Sequence, residues 1–264
     1  MSDSASSRAP VDIHELRRFL LDFAVTLVGA GSQPSRVLRS AQRIGGSLGH
    51  EVDLAIFPKH IILSVLSRGD DTTRRTAVGD IRPAPFNFDI ILKLNALSWE
   101  AWDRGLSLAE LRRRYTAIVS APRTSRRLEL PLISCANAAF CRLFGGDATA
   151  MAVVFAATLI AFFIRREMLI RRIDHRMAFI LAAFVASLIA ALAIRHLPTA
   201  TPEIALGASV LFLIPGVPLI NAVNDVVEGH ILMGFARAVN AGILIICIAL
   251  GLSATLLLTG LSAV

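Results

Sequence analysis

Leu211-Phe212-Leu213-Ile214-Pro215-Gly216-Val217-Pro218-Leu219-Ile220-Asn221-Ala222-Val223-Asn224-Asp225 is an apolar segment of membrane type, interrupted by Pro-Gly-x-Pro and running directly into Asn, Asn and Asp. Proline removes a backbone donor and clashes with the preceding turn. A break at membrane depth is tolerated only where protein or a water-filled cavity satisfies the freed backbone groups. Broken helices beside polar side chains are one way in which transporters build a substrate site. Pro215, Gly216, Asn221, Asn224 and Asp225 are therefore candidate substrate-binding residues. A helix kinked for packing, or one that ends at Pro215, is the plainer alternative.

The rest of the C-terminal half is of the same character. The chain has 264 residues, 55% of them hydrophobic, with a mean hydropathy of +0.63. That average hides a split, because most of the charge lies before about Arg127 and nearly continuous apolar sequence follows. Runs of roughly 18 or more apolar residues are the signature of a membrane span. The pattern predicts five spans: Leu130 to Phe144, Ala148 to Ile164, Met177 to Ile194, Ile204 to Ile220 with the break inside it, and Val239 to about Leu258. Gly145-Gly146-Asp147 is a turn signal between the first two. Both are short, and a merged re-entrant hairpin is the alternative there.

Positive charge favours cytoplasmic loops. Arg123, Arg126 and Arg127 precede the first span, Arg165, Arg166, Arg171, Arg172 and Arg176 fill the loop after the second, and Arg237 lies between the last two. The opposite loops carry Asp147 alone, then Arg195 and His196 with Glu203. This alternation predicts a cytoplasmic N-terminus and an external C-terminus. The net charge of +7 follows from these arginines. No zinc-ligand spacing or aromatic RNA-binding pattern accompanies it, which argues against nucleic acid. Arg112-Arg113-Arg114 reads as a solvated helix face.

The first half has helical, then strand, then helical periodicity. Val11 to Gly31 places Leu16, Phe19, Leu20, Phe23 and Leu27 on one face, with Asp12 as N-cap and Glu15 completing a capping box. Pro34 opens a second helix carrying Val37, Leu38, Ala41, Ile44 and Leu48, stopped by Gly49. Glu51 to Phe57 and His60 to Leu66 form a hairpin, and Arg74 to Val78 adds a third strand. Asn87 to Arg104 and Ser107 to Ser120 are helices, the latter with a Ser107/Glu110 capping box. The expected fold is an α-helical polytopic membrane protein preceded by a small α+β domain. Residues 1–10 read as a disordered N-terminus without a signal peptide, 11–125 as the cytoplasmic domain, and 126–264 as the transmembrane domain.

Enzymatic chemistry has little support. There is no P-loop, GxGxxG, GxSxG or HExxH, so no cofactor, no metal and no ATP-driven transport are expected. His60 is a surface strand residue before it is a catalyst, and the Asp70-Asp71 pair lacks the neighbouring oxygen ligands of a calcium loop. Cys135, Cys141 and Cys247 all fall in predicted spans, fit no metal spacing and read as small membrane-buried residues. Two further polar positions sit in the first span: Asn137, and Arg142, whose guanidinium suits a substrate carboxylate. Arg142 snorkelling to the outer surface, and Asp225 resting at the cytoplasmic interface, are the alternatives.

A family resemblance ties these features together. Gly29-Ala30-Gly31, Ser35-Arg36-Val37, Arg43-Ile44, the hairpin from Val52 to Leu66 with Pro58 in its turn, Leu94-Asn95, and Gly105-Leu106-Ser107-Leu108 with Glu110 resemble the threonine/serine exporter family in order. So do Phe144-Gly145-Gly146-Asp147, Ile214-Pro215-Gly216 with Asn221 and Asp225, then Gly229 and Ala236-Arg237. The resemblance runs from about residue 12 to 260. It implies a secondary exporter of amino acids or of dicarboxylates such as succinate, in the cell inner membrane. The length is similar to that of the large subunit of the split form, which implies a short polytopic partner subunit or a homo-oligomer within the bilayer. Ser32-Gln33-Pro34 stands where the family often has acidic residues, and Asp147-Ala148-Thr149 where an aromatic commonly follows, which leaves the substrate open. A membrane-anchored regulatory or assembly protein is the competing reading, against which the Pro-Gly-x-Pro break stands.

Overall fold

The computed structural model describes residues 12–67, 70–82, 84, 86–121 and 126–260. The expected disordered N-terminus, Val11 of the first expected helix, and Arg123 of the arginine-rich approach to the first span lie outside them. The chain divides into two compact units, Met1–Pro122 with Asn221–Ala236, and Arg123–Ile220 with Arg237–Val264.

The first unit begins with α1 (Ile13–Gly29), whose expected apolar face is the buried one: Leu16, Phe19, Leu20, Phe23 and Leu27. The Asp12 carboxylate accepts from the His14 N–H at 2.9 Å, so the cap forms. Glu15 faces Arg112 across the fold at 3.5 Å. Next, α2 (Pro34–Ser47) opens on its proline and buries Val37, Ala41 and Ile44. Gly49 beyond it is left-handed, with φ +79°.

Strands β1 (His50–Ile56), β2 (His60–Ser67) and β3 (Asp70–Asp80) follow in an antiparallel sheet of order β1-β2-β3. The register pairs Ile56 with Ile61 and His60 with Asp80. Val52, Ile61, Leu63 and Val65 point to the core, so the period-two pattern sets which face is buried. The third strand is longer than Arg74 to Val78, and the Asp70-Asp71 pair opens it; their side chains lie outside the described residues. His60 is exposed and its ring contacts Asp80 at 2.8 Å, as a surface strand residue does.

Helices α3 (Phe88–Arg104) and α4 (Leu108–Ser120) close this unit. Asn87 caps α3 by accepting from the Ile90 N–H at 3.1 Å, and left-handed Gly105 ends it. Ser107 caps α4 by accepting from the Glu110 N–H at 3.3 Å. The Glu110 carboxylate itself accepts from Arg113 at 2.9 Å and from Arg114 at 2.6 Å, which holds its pKa down to about 2. Arg114 also donates to Glu100, so Arg112-Arg113-Arg114 is a set of ion pairs with acids of this unit rather than a merely solvated face.

The second unit holds α5 (Arg126–Leu143), α6 (Ala148–Ile170), α7 (His175–His196), α8 (Pro202–Ala208), a single 3-10 turn (Leu211–Leu213), the start of α9 (Gly216–Val227) and most of α10 (Ile231–Thr259). Among the described residues α6, α7 and α10 are long and apolar enough to cross a membrane, with 23, 22 and 29 residues. Pro202–Leu213 and Gly216–Val227 together make a fourth candidate, bent by 61°. This gives three spans, or four with the bent pair, where the sequence pattern predicted five. The first expected span falls in α5, where Arg126, Arg127, Glu129 and Arg142 share one 18-residue helix with Pro131. Charges inside a span are expensive, which keeps α5 off that count. The second runs on to Ile170 rather than ending at Ile164.

Packing here is inverted relative to the first unit. Apart from Phe179, the buried side of α7 is all small residues, Ala178, Ala182, Ala183, Ala186, Ser187, Ala190 and Ala191, while Leu181 and Leu192 are exposed. On α5, Ser134, Asn137, Ala138 and Cys141 are buried and Leu132, Phe140 and Leu143 are exposed. Small residues inside and large ones outside is how helices pack when lipid, not water, surrounds them. Gly251 of α10 is the tightest case. A Cβ there would lie 2.5 Å from the Ile180 carbonyl oxygen and 2.8 Å from the Ala183 Cβ. Ser187 and Thr255 share a hydrogen bond of 2.7 Å at the same crossing.

Gly251→Ala is therefore expected to force α10 off α7 at an overpacking cost of about 1–3 kcal/mol. Gly242→Ala, whose Cβ would meet no described atom within 4 Å, is the control. Thermal unfolding in detergent should show a lower midpoint for the first and no loss for the second.

Candidate functional site

The polar residues following the break belong to the first unit, together with the loop between α1 and α2. Gly31 in that loop is left-handed, with φ +97°, and a Cβ on it would strike the Phe86 ring at 2.2 Å. Its carbonyl accepts from the Asn221 side-chain amide at 3.2 Å, and the Asn221 Oδ1 lies 3.5 Å from the Gln33 amide nitrogen. Ser35 donates to Glu228. A tight hairpin joins α9 to α10: Gly229 has φ +86°, and the His230 N–H donates to the Asp225 carbonyl at 2.7 Å. Gly234 sits so close to α9 that a Cβ would lie 2.7 Å from the Ala222 carbonyl oxygen. Met233 enters the hydrophobic core of this unit.

Asp225 and Ser32 are buried, at 0% and 1% exposure, and Asn224 is half-buried. A carboxylate with no exposed surface is costly, and such groups concentrate where protons, cations or polar ligands are handled. Sequence reasoning singled out Asn221, Asn224 and Asp225. It missed Gln33, Ser35 and Glu228. The signal for the first two was the polar sequence between Gly31 and Arg36, read there as a family resemblance at Ser35 and as a departure from the family at Gln33.

Asn137, Arg142, Pro215 and Gly216 lie in the second unit. Asn137 is 2% exposed; its amide donates to Thr158 Oγ1 at 2.7 Å and to the Ala208 carbonyl at 3.1 Å, while its buried Oδ1 has no hydrogen-bond partner among the described residues. Asn137 thus caps the end of α8, where the apolar segment first breaks. The expectation that Pro215-Gly216 leaves backbone groups unpaired is corrected at three carbonyls. Those of Leu211, Ile214 and Pro215 accept from the N–H groups of Ile214, Gly216 and Leu219 at 3.1, 2.8 and 3.1 Å. Successive tight turns close these bonds locally, so the bend itself demands no water there.

Arg142 is exposed at the end of α5 and donates to the Gly146 carbonyl at 3.1 Å, which ties down the following turn. The turn is built by Gly145, with φ +93°, and by Gly146, where a Cβ would lie 2.5 Å from Cys141 Sγ. Asp147 caps α6, accepting from the Ala150 N–H at 2.7 Å, and also accepts from the Ala200 N–H at 2.7 Å and from Thr199 Oγ1 at 3.0 Å. One carboxylate thereby joins the start of α6 to the loop after α7.

Arg165 was assigned to a loop by its charge, but α6 continues through it. Its guanidinium stacks on Phe179 of α7 at 4.5 Å and lies 5.8 Å from Phe162. The signal available was the spacing of Phe162 and Arg165, one helical turn apart. Among the described residues no group of three metal-ligating side chains occurs, and the three cysteines are free.

The family described as "Putative threonine/serine exporter" matches residues 18–259. A protein of Klebsiella aerogenes named "Probable succinate transporter subunit YjjP" is 31% identical over 247 residues, covering 92% of this chain and 94% of the relative. The Escherichia coli K12 protein of the same name is 30% identical over the same shares. No solved structure matches the chain.

Asp147 gives a pH-dependent prediction. Hydrogen bonds from the Ala150 and Ala200 N–H groups hold its pKa below the ordinary 3.8. A depressed folded-state pKa adds stability that is fully present above the unfolded value and is lost as pH falls through the folded one. Asp147→Ala should lower the unfolding midpoint at neutral pH, and the gap to the parent protein should close only below about pH 3.8. Asp147→Ser, which keeps a cap acceptor, should recover part of the loss.

Proposed function

Because the chain belongs to the threonine/serine exporter family, we propose that this multi-pass membrane exporter is the large subunit of a two-component secondary transporter for small carboxylates. The relatives' names favour a succinate-like dicarboxylate, and the family's description favours threonine and serine. A carboxylate is common to both. The word subunit in the relatives' names supports a separate membrane partner, and a homo-oligomer is the other way of completing the transport path. An alternating-access site is commonly shared by two structural repeats, which fits either arrangement. The cell inner membrane, a cytoplasmic domain over 11–125, a transmembrane domain over 126–264 and an external C-terminus complete the reading. The alternation of arginine-rich loops supports this orientation.

The observation that carries this reading is Asp225: a fully buried carboxylate on the helix that starts at the Pro215-Gly216 break, one turn from Asn221 and beside Asn224. Asp225 carries the coupling proton or receives a substrate amino group. Asn221 and Asn224 supply amide contacts to the polar substrate. Asn137 offers its Oδ1 as an acceptor, and Arg142 and Arg165 are the cations suited to a carboxylate. Pro215 and Gly216 give the bend that presents α9.

Export from proteoliposomes with and without a short partner, under an imposed proton gradient, tests this with succinate, threonine and serine. Asp225→Asn should abolish export or uncouple it from the gradient while the protein still inserts. Asp71→Asn should have little effect. An Asp225→Asn protein that transports at the original rate with the original pH dependence removes Asp225 from the mechanism.

A further inference from the structure

A cavity in the first unit is lined by none of Asn221, Asn224 and Asp225, and the transport reading makes no use of it. It has a volume of about 660 Å³ and is lined by one face of α2 (Arg39, Gln42, Arg43, Gly46), by β1 from His50 to Asp53, and by Trp99 and Trp102 of α3. Ligand pockets run from about 300 to 1,000 Å³, so the size suits a small organic molecule.

Its chemistry is unlike that of the surrounding surface. Both tryptophans of the chain line it, at 49% and 53% exposure. Indole is among the most costly side chains to leave in water, and two in one concavity make a stacking platform. The Arg43 guanidinium lies 4.0 Å from the centre of the Trp99 ring, a cation–π pair, and donates to Ser98 Oγ at 2.6 Å. Ser98 is itself buried and donates to the Asn95 carbonyl at 2.7 Å. Arg43 is therefore fixed before any ligand arrives, with donors left over. Arg39 stands one turn earlier on the same face, and neither arginine forms an ion pair among the described residues.

Two like charges at this spacing repel, and each discourages the other's charge unless an anion lies between them. Consistent with this, burial and then Arg39 depress the Arg43 pKa. His50 is 8% exposed and its Nδ1 lies 2.8 Å from the Leu48 carbonyl, an acceptor. That fixes the proton on Nδ1 and leaves Nε2 for other contacts. Glu51 and Asp53 also line the cavity, and Asp53 pairs with Arg74 at 3.3 Å.

The glycines show that the concavity is built. A Cβ on Gly45 would lie 2.2 Å from Val52 Cγ2, and one on Gly46 would lie 3.0 Å from the Trp102 ring. Only a Gly-Gly step lets β1 and the second indole close on α2 together.

We propose that this cavity binds a mononucleotide: the base stacks on an indole, the phosphates bridge Arg39 and Arg43, and the ribose hydroxyls face Glu51. The requirement is for a planar ring and an anion on one small molecule, with hydroxyls between them. Binding here gives the exporter a ligand-responsive N-terminal unit. No hydrolysis is implied, because the cavity has neither a phosphate-cradling loop nor a metal cluster among the described residues.

The two tryptophans report on the site directly. The purified full-length protein in detergent is titrated with ADP while indole fluorescence is excited at the red edge of its band, where adenine does not absorb. Isothermal titration of the same sample gives a second readout. Saturable quenching and heat are expected with ADP, with affinity at least about tenfold weaker for adenosine and for pyrophosphate, or about 1.4 kcal/mol each. Arg43→Gln should weaken ADP binding by a similar factor. Arg39→Gln, at an exposed position that bears no packing, should do so without changing the unfolding midpoint. Absence of a saturable response in both readouts overturns the proposal. So does ADP affinity unchanged in Arg39→Gln, adenosine binding as tightly as ADP, or pyrophosphate binding as tightly as ADP. Transport activity enters none of these measurements, so their failure leaves the exporter reading untouched.

Discussion

Backbone polar groups in an apolar surrounding have no water to turn to, and that constraint governs the broken segment from Ala208 to Leu219. A proline in a helix costs about 3 kcal/mol because it removes a bond and crowds the preceding turn. Several carbonyls around this break are nevertheless matched. Ser209 serves Ala205 through its N–H and Leu206 through its hydroxyl, Asn137 serves Ala208, and tight turns serve Leu211, Ile214 and Pro215. At about 0.5–1.5 kcal/mol net for each bond, and more for any left unmade, these contacts are of the size needed to hold a 61° bend. The break is thus a built feature. It holds the side chains of α9 at an angle that a straight span would not give.

The same constraint explains why the two compact units follow opposite packing rules. In the first, Phe23, Leu16, Leu20, Leu27 and Ile44 are fully buried, as in a domain that excludes water. In the second, alanines and hydroxyl residues fill the helix contacts, and Ile160, Phe163, Ile246 and Leu257 face outward. Burying leucine gains nothing against lipid tails, so close approach and hydrogen bonds such as Ser187 to Thr255 take over. Asn137 and Thr158 belong to the same regime: the Asn137 amide donates to Thr158 on the neighbouring helix at 2.7 Å because no solvent is at hand.

Much of the first unit was legible in the sequence because its faces are periodic. The buried positions of α1 and α2 follow the helical spacing read from Leu16 and Val37, and the strand alternation located β1 and β2. The start of the third strand was missed because Asp70 to Thr73 is polar, as suits an edge strand, and carries no alternation to read. In the second unit the apolar runs located α6, α7 and α10. Where helices end was harder: Arg165 and Arg166 look like a loop by charge, yet α6 absorbs them because Phe179 stacks on Arg165. The cavity at Trp99 was invisible for another reason. It draws on α2, β1 and α3, and no local pattern marks residues that converge from three elements.

The short motifs also turn out to mix two kinds of residue with different physical duties. The glycines grant close approach: Gly31 to Phe86, Gly146 to Cys141, Gly234 to Ala222. The polar residues beside them then use the geometry so granted. Gly31 shows the dependence most directly. Its left-handed conformation sets the direction of its carbonyl, and that carbonyl is the acceptor for Asn221, 190 residues away in the chain. A side chain at position 31 would meet the Phe86 ring and strain the backbone together, and Asn221 would lose its acceptor. The glycine-rich turn after α1 and the polar run after the break are therefore parts of one device, and an asparagine in α9 is positioned by a glycine whose own chemistry is nil.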